Sequence, residues 1–192
     1  MSRSRTSTTG PRSSATAGGA TSSRAMSPLG AVVGGLLAGA LGTVALDVVN
    51  YIQYRAGGGQ DAPMSWETAA GLDSWDDAPV PAQVGRRVVE GLLQRELPAS
   101  SARTVNSITH WAYGMVWGVE YGILAGSTHK RRAGWGPVFG SLVWLTSYAV
   151  LPMIKLYKPI WEYDSTTLAK DWAGHLAYGT ATAVAFRAIS KP

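Results

Sequence analysis

Four stretches of this chain are rich in apolar residues and almost free of charge, and that segregation limits its folds more than any other feature. Ala25 to Leu46 and Ala133 to Ile154 contain no charged residue. Thr104 to Thr128 holds one carboxylate, Glu120, and one histidine, His110; Trp172 to Phe186 holds only His175. Apolar residues make up 46% of the chain and charged ones 15%, so the signal lies in their separation rather than their totals. About 20 mostly apolar residues suffice to cross a bilayer. The expectation is an all-α membrane protein, a four-span helical bundle with spans near 29–51, 105–127, 135–154 and 168–188. The last is the weakest, because Lys170 and Asp171 stand at its edge.

The apolar stretches also fit a soluble helical core or, at the first of them, a signal sequence. In a soluble helical protein, each of the many glycines inside these runs would cost about 1 kcal/mol, whereas membrane helices use glycine for close packing. The chain has 23 of them. A cleaved signal sequence ending at Ala40 fits the basic start and the Ala38-Gly39-Ala40 triplet. The apolar run continues through Val49, however, which favours an uncleaved span.

Charge sets the orientation. The region before the first span carries Arg3, Arg5, Arg12 and Arg24 and no acid; Lys130, Arg131 and Arg132 follow the second span, and Arg187 and Lys191 lie at the end. Asp73, Asp76, Asp77 and Glu162 lie in the opposite connections. The Lys/Arg bias of short flanks places the first side in the cytoplasm. The chain is therefore expected as a multi-pass protein of a bacterial inner membrane, N-in and C-in. Residues 1–27 read as a disordered basic cytoplasmic tail, and 28–190 as the membrane domain with an outer-face segment at 55–103. Within that segment, 82–97 reads as an amphipathic helix with Val84, Val88 and Leu92 on its apolar side. It can rest on the bundle or dock a partner. The pI near 9.6 is accounted for by these topology signals, so the bilayer rather than nucleic acid is the expected partner. The absence of cysteine excludes disulfides, thiolate metal sites and cysteine nucleophiles.

Within the apolar stretches, His110-Trp-Ala-Tyr-Gly114 recurs as His175-Leu-Ala-Tyr-Gly179, with Asn106 and Asp171 one helical turn earlier. The likeness suggests two repeated hairpins. On a helix, residues four apart share a face, so each stretch presents a polar residue, a histidine and a glycine in one stripe. Both histidines fall about 8–10 Å inside the outer boundary at roughly 1.5 Å per residue. Asp47 reaches a similar level, and Tyr113 and Tyr178 occupy matching positions. Ionisable groups in a span are costly and mark function by default. Three roles fit the group: interhelical glue; a proton-responsive or proton-relaying site of His110, His175, Asp47, Asp171, Tyr113 and Tyr178; or a metal site of His110, His175 and Asp47. Glu120, in the inner half of the second span, is a separate proton-path candidate.

Gly114, Gly118, Gly122 and Gly126 form an unbroken ladder on the second span, and Gly35 and Gly39 lie on the first. Such stripes let helices approach closely, either within the chain or with a second copy or another membrane partner. Phosphate-loop, dinucleotide, metalloprotease and nucleophile-elbow motifs are absent. No cofactor is implied and a non-enzymatic role is expected; a membrane-embedded hydrolase stays open only if Asp47, His110 and His175 activate water.

On its four-span layout, its length and the Gly174-His175 pair opening the last span, the chain resembles the YagU-like family of bacterial inner-membrane proteins. The resemblance implies an inner-membrane protein linked to acid tolerance. The Ala-, Gly- and Arg-rich usage resembles that of a high-GC bacterium. The leading expectation is a protein that senses or relays protons through an outer His/Asp cluster. A packing or partner-docking scaffold and a metal-dependent membrane enzyme are the alternatives.

Overall fold

The computed structural model describes residues 26–127 and 133–190, which are helical with no strand among them. The expectations for residues 1–25 and for the basic run Lys130–Arg132 lie outside the described residues. Helix α1 spans Pro28–Ala56, α2 Pro63–Glu67, α3 Val80–Leu93, α4 Ala102–Ser127, α5 Gly136–Val150 and α6 Ser165–Ile189. Start signals are local. Ser27 caps α1, its Oγ accepting from Gly30 N at 3.1 Å, with Pro28 in the first turn. Asp164 caps α6, accepting from Thr167 N at 2.9 Å.

Each long helix occupies one of the four apolar stretches. One of them, Pro28–Ala56, is long and apolar enough to cross a membrane by itself. Helices α4 and α6 have the length, 26 and 25 residues, but carry more polar side chains. Helix α5 has only 15 residues. It ends at Val150 and gives way to turns through Lys155, because Pro152 cannot continue the hydrogen-bond ladder. The expected third span thus ends about one turn early.

Helix α1 lies at the centre, with α4 on one side and α6 on the other; α5 packs on α6 and α3 on α4. Two small-residue faces make this arrangement possible. Toward α4, a Cβ on Gly35 would lie 2.5 Å from Gly118 O, and one on Gly39 would lie 2.5 Å from Gly114 O. Gly122 faces Ala31 and Gly35, and Gly126 faces the Ala31 side chain at 3.2 Å. The glycine ladder of α4 therefore packs on α1 of the same chain. Toward α6, Gly42 lies against Tyr178 and Thr182, and Gly34 lies 3.3 Å from the Phe186 ring.

The α5–α6 crossing resembles the α1–α4 crossing, but not in the register that the histidine repeat implies. Gly118 meets Gly35 O and the backbone of Gly39, and Gly179 meets Gly136 O and the backbone of Gly140 in the same way. The packing equivalent of Gly179 is thus Gly118, one turn beyond Gly114. His110 lies eight residues before its crossing glycine and His175 only four. The two hairpins share a packing device, while their histidines sit at different levels.

A second, smaller core lies beside α3. It holds Trp75, Ala82 and Ala102, and Trp75 Nε1 donates to Leu97 O at 3.2 Å. Trp75 is therefore an anchor inside the protein rather than a surface residue. Helix α3 also differs from expectation. It ends at Leu93, where Gln94 turns left-handed at φ 50°. Its buried side is Ala82 and Gly85, against Val105 and Thr109 of α4, while Val88 and Leu92 stay exposed. Arg86 and Glu90 pair at 3.1 Å, and Arg86 lies over the Trp75 ring at 5.0 Å, so this polar edge packs inward. Small residues win the inner face because only they allow α3 to approach α4 closely.

The long helices are inverted relative to a water-soluble fold. Glycine, alanine, threonine and aromatic residues fill the centre, while Val33, Leu37, Leu41, Val44, Val48 and Ile52 face outward along nearly the whole of α1, with Leu37 54% and Ile52 60% exposed. Val138, Leu142 and Leu145 do the same on α5, and Val116, Ile123 and Leu124 on α4.

Candidate functional site

The sequence-identified polar residues divide into two groups, each of which contributes a histidine to the lining of one cavity. The first is built on α1, α2 and α4. Asp47 lies on α1 and is buried. The glycine crossing draws α4 close enough for His110 Nε2 to reach both Asp47 oxygens, at 2.9 and 3.1 Å. Helix α2 then folds back over the end of α1, with Trp66 packed on Tyr51 and Tyr54 at ring separations of 5.5 and 6.0 Å. That fold-back delivers Glu67. Ligating atoms of Asp47, Glu67 and His110 all lie within 4.8 Å of one another. Trp111 Nε1 donates to Glu67 at 3.0 Å and fixes its carboxyl.

Glu67 is the residue that sequence reasoning missed. Its signal was the Trp66-Glu67 pair after the Gly57–Gly59 exit, which marks a short amphipathic turn but not its destination. Glu67 is half-buried and lies outside the long helices. Its carboxyl is held above the usual range first by desolvation and then by the neighbouring Asp47 charge; His110 and the Trp111 donor pull it down in part. Two carboxyl groups and one imidazole are therefore concentrated at one point.

The second group lies on α5 and α6. His175 Nδ1 lies 2.9 Å from Asp171 O and 3.4 Å from Asp171 Oδ1. Trp144 Nε1 donates to Asp171 Oδ2 at 3.1 Å. Tyr157 and Tyr163 pack tilted and edge-on against Tyr148 beside it, at ring separations of 5.1 and 5.3 Å. Tyr157, outside the long helices, has its hydroxyl pushed well up by burial and then by the Asp171 charge.

Between the groups is a cavity of about 400 Å³, lined by both His110 and His175, with Asn50, Tyr113, Ser147 and Asp171 among its polar walls. Tyr113 hydroxyl lies 3.3 Å from Ser147 Oγ. Tyr178, equivalent to Tyr113 in the repeat, instead closes the inner end, donating to Gly114 O at 2.6 Å. Asn106, one turn before His110, is buried, and its Oδ1 has no hydrogen-bond partner among the described residues. A buried acceptor of this kind is a seat for an ordered water. Glu120 is exposed on the outer side of α4 and belongs to neither group.

For a metal ion, the geometry replaces the expected set. His175 is not among the residues that converge with Asp47 and His110; Glu67 takes its place. These three side chains can hold a divalent ion with a coordination position to spare, a donor set that suits zinc or manganese.

The chain matches no family model, no curated protein and no solved structure.

Proposed function

We propose that this chain is an integral membrane protein whose long helices α1, α4, α5 and α6 cross the bilayer, N-in and C-in, and which responds to external protons through Asp47, His110 and Glu67. Membrane placement is supported by the inverted surface. An apolar face running along several helices would be a liability in water, but is the natural exterior in lipid. The short α5 fits if the bilayer thins locally or the adjoining turns take up the difference. The resemblance to YagU-like inner-membrane proteins points the same way.

The proton reading rests on one observation: the His110 imidazole bonds a buried carboxylate with a second carboxyl at the same point, on the wall of a cavity. Imidazole changes charge near pH 6.5, and carboxylate–histidine chains are the usual parts of a proton relay. External acid would protonate Glu67 and His110 together. That would convert the Asp47–His110 contact into a full ion pair and relieve repulsion between the two carboxylates. The consequence is a tighter hold of α2 on α1 and α4, so that the outer end of the bundle reports pH.

The test is proton flux into liposomes carrying the full chain, with survival of expressing cells at about pH 5, within reach of histidine and carboxylate titration. His110→Gln keeps a donor toward Asp47 but cannot titrate. It should abolish the pH-dependent component while membrane levels stay constant, and Glu67→Gln should shift its midpoint. Unchanged flux and survival in His110→Gln would sink the reading. A response that follows added zinc or manganese rather than pH would reassign the three side chains to ion binding.

A further inference from the structure

We infer that the cavity between α4 and α5 binds a long-chain amphiphile with a hydroxyl head, which enters sideways from the bilayer. The inference rests on the membrane placement proposed above but not on the proton role. Side chains bridge α4 and α5 at Trp117–Phe139, Tyr121–Phe139 and Tyr113–Ser147. Trp117 and Phe139 close the space below at a ring separation of 6.1 Å, and Tyr113 with Ser147 spans it at 3.3 Å. Val80, Pro81 and Val84 of α3 form the roof. The remaining opening is lateral, and its rim is apolar: Tyr113, Val150 and Ile154 both line the cavity and are exposed. An entrance of this kind faces lipid tails, so its natural visitor comes from the bilayer. A volume of about 400 Å³ falls within the roughly 300–1,000 Å³ of small-molecule sites.

The polar wall specifies the head. Asp171 O is a carbonyl and can only accept, so His175 Nδ1 carries the proton at their 2.9 Å contact. That leaves Nε2 as an acceptor. The Asp171 carboxylate, also on the lining, accepts from Trp144 and bonds Tyr148, and as a two-oxygen acceptor it can take a further donor. Two acceptors side by side call for a hydrogen-bond donor, which a hydroxyl head supplies without bringing a second charge into the cavity, and the Asp171 charge repels a carboxylate or phosphate head. The apolar walls, with Leu46, Val84 and Val143, take the chain. An acylglycerol and an isoprenoid alcohol share this chemistry.

The test uses the full chain in phosphatidylcholine nanodiscs, labelled with a diazirine-bearing hexadecanol and mapped by peptide. Resistance of the chain to alkaline carbonate extraction is measured first, so a failure of membrane placement registers separately. Labelling should be saturable and confined to cavity residues of α4, α5 and α6. Val150→Trp, at the exposed rim, should reduce it about tenfold, equivalent to roughly 1.4 kcal/mol, with helix content unchanged. Mono-olein or farnesol should compete, and whichever does so identifies the source; palmitate should compete poorly, and Asp171→Asn, which removes the repelling charge, should erase that preference. Unsaturable labelling, equal labelling of a folded Val150→Trp, or palmitate competing as well as the alcohols overturns the proposal.

Discussion

At the scale of single residues, the site depends on burial. Asp47 is 9% exposed and both of its carboxylate oxygens lie within hydrogen-bond distance of His110. Removing one partner of a buried pair strands the other, at a cost of about 3–5 kcal/mol. His110→Ala should therefore lose several kcal/mol in a denaturation series, and Asp47→Asn/His110→Gln much less than the sum of its parts; additivity in that double-mutant cycle would show that the two do not interact. Glu67 gives a pH prediction. Its carboxyl is raised in the folded state, by burial first and by Asp47 second, so the protonated form is the better folded one. The resulting stability is present below the unfolded carboxyl value and is lost as pH rises through the raised folded value. Amide protection over Met64–Glu67, after correction for the intrinsic pH dependence of exchange, should accordingly fall from about pH 4 to pH 7, around and above the ordinary carboxyl range, and Glu67→Gln should flatten that profile. Asp164 has the opposite sign. Its hydrogen bonds to Thr167 hold it low, so its capping of α6 is present above the unfolded value and lost as pH falls through the folded one.

At the scale of helices, space decides. A Cβ on Gly39 would sit 2.5 Å from Gly114 O, which is backbone and cannot turn aside, whereas one on Gly91 meets nothing within 4 Å. Gly39→Ala should separate α1 from α4 and cost about 1–3 kcal/mol through overpacking. Gly91→Ala, inside exposed α3, should gain up to about 1 kcal/mol from helix propensity. Thermal melts of the two variants should move in opposite directions; equal shifts would mean that the α1–α4 crossing is looser than drawn here. These glycines also show how far the sequence could be read. A four-residue glycine spacing identifies a face of α4 for close approach, because the period is that of the helix. It carries no information about which partner fills the face, since Gly35 and Gly39 on α1 are equally compatible with a second copy. The positions of all four long helices and the Asp47–His110 level were legible from apolar length alone. Glu67 was not, because its place depends on Trp66 settling on Tyr51 and Tyr54, a contact between segments with no common period. Helix α3 misled for a related reason. Its apolar ladder was visible, but the close approach of Ala82 and Gly85 to α4 outweighed it and turned Val88 and Leu92 outward.

At the scale of the molecule, the question is which solvent the outer surface meets. Leu41 lies near the middle of α1 and is 53% exposed. If that surface faced water, Leu41→Lys would be an ordinary surface change, within about 0.5 kcal/mol. If it faces lipid, a lysine at mid-bilayer costs about 2.5–3.5 kcal/mol on insertion scales, reduced where the side chain can reach the interface. Arg55, on the last turn of the same helix, marks the boundary where such a charge is tolerated, so Ile52→Lys, 60% exposed and one turn from it, should cost far less than Leu41→Lys. A gradient of membrane insertion from Leu41 to Ile52, read by glycosylation mapping of the two variants, follows from lipid outside and from nothing in a water-exposed surface, where depth along the helix has no meaning. Failure of α1 to insert in either variant and in the unsubstituted chain would place it in water. The inverted packing of small residues inside and branched apolar ones outside would then need a protein partner covering the whole of α1 rather than a bilayer.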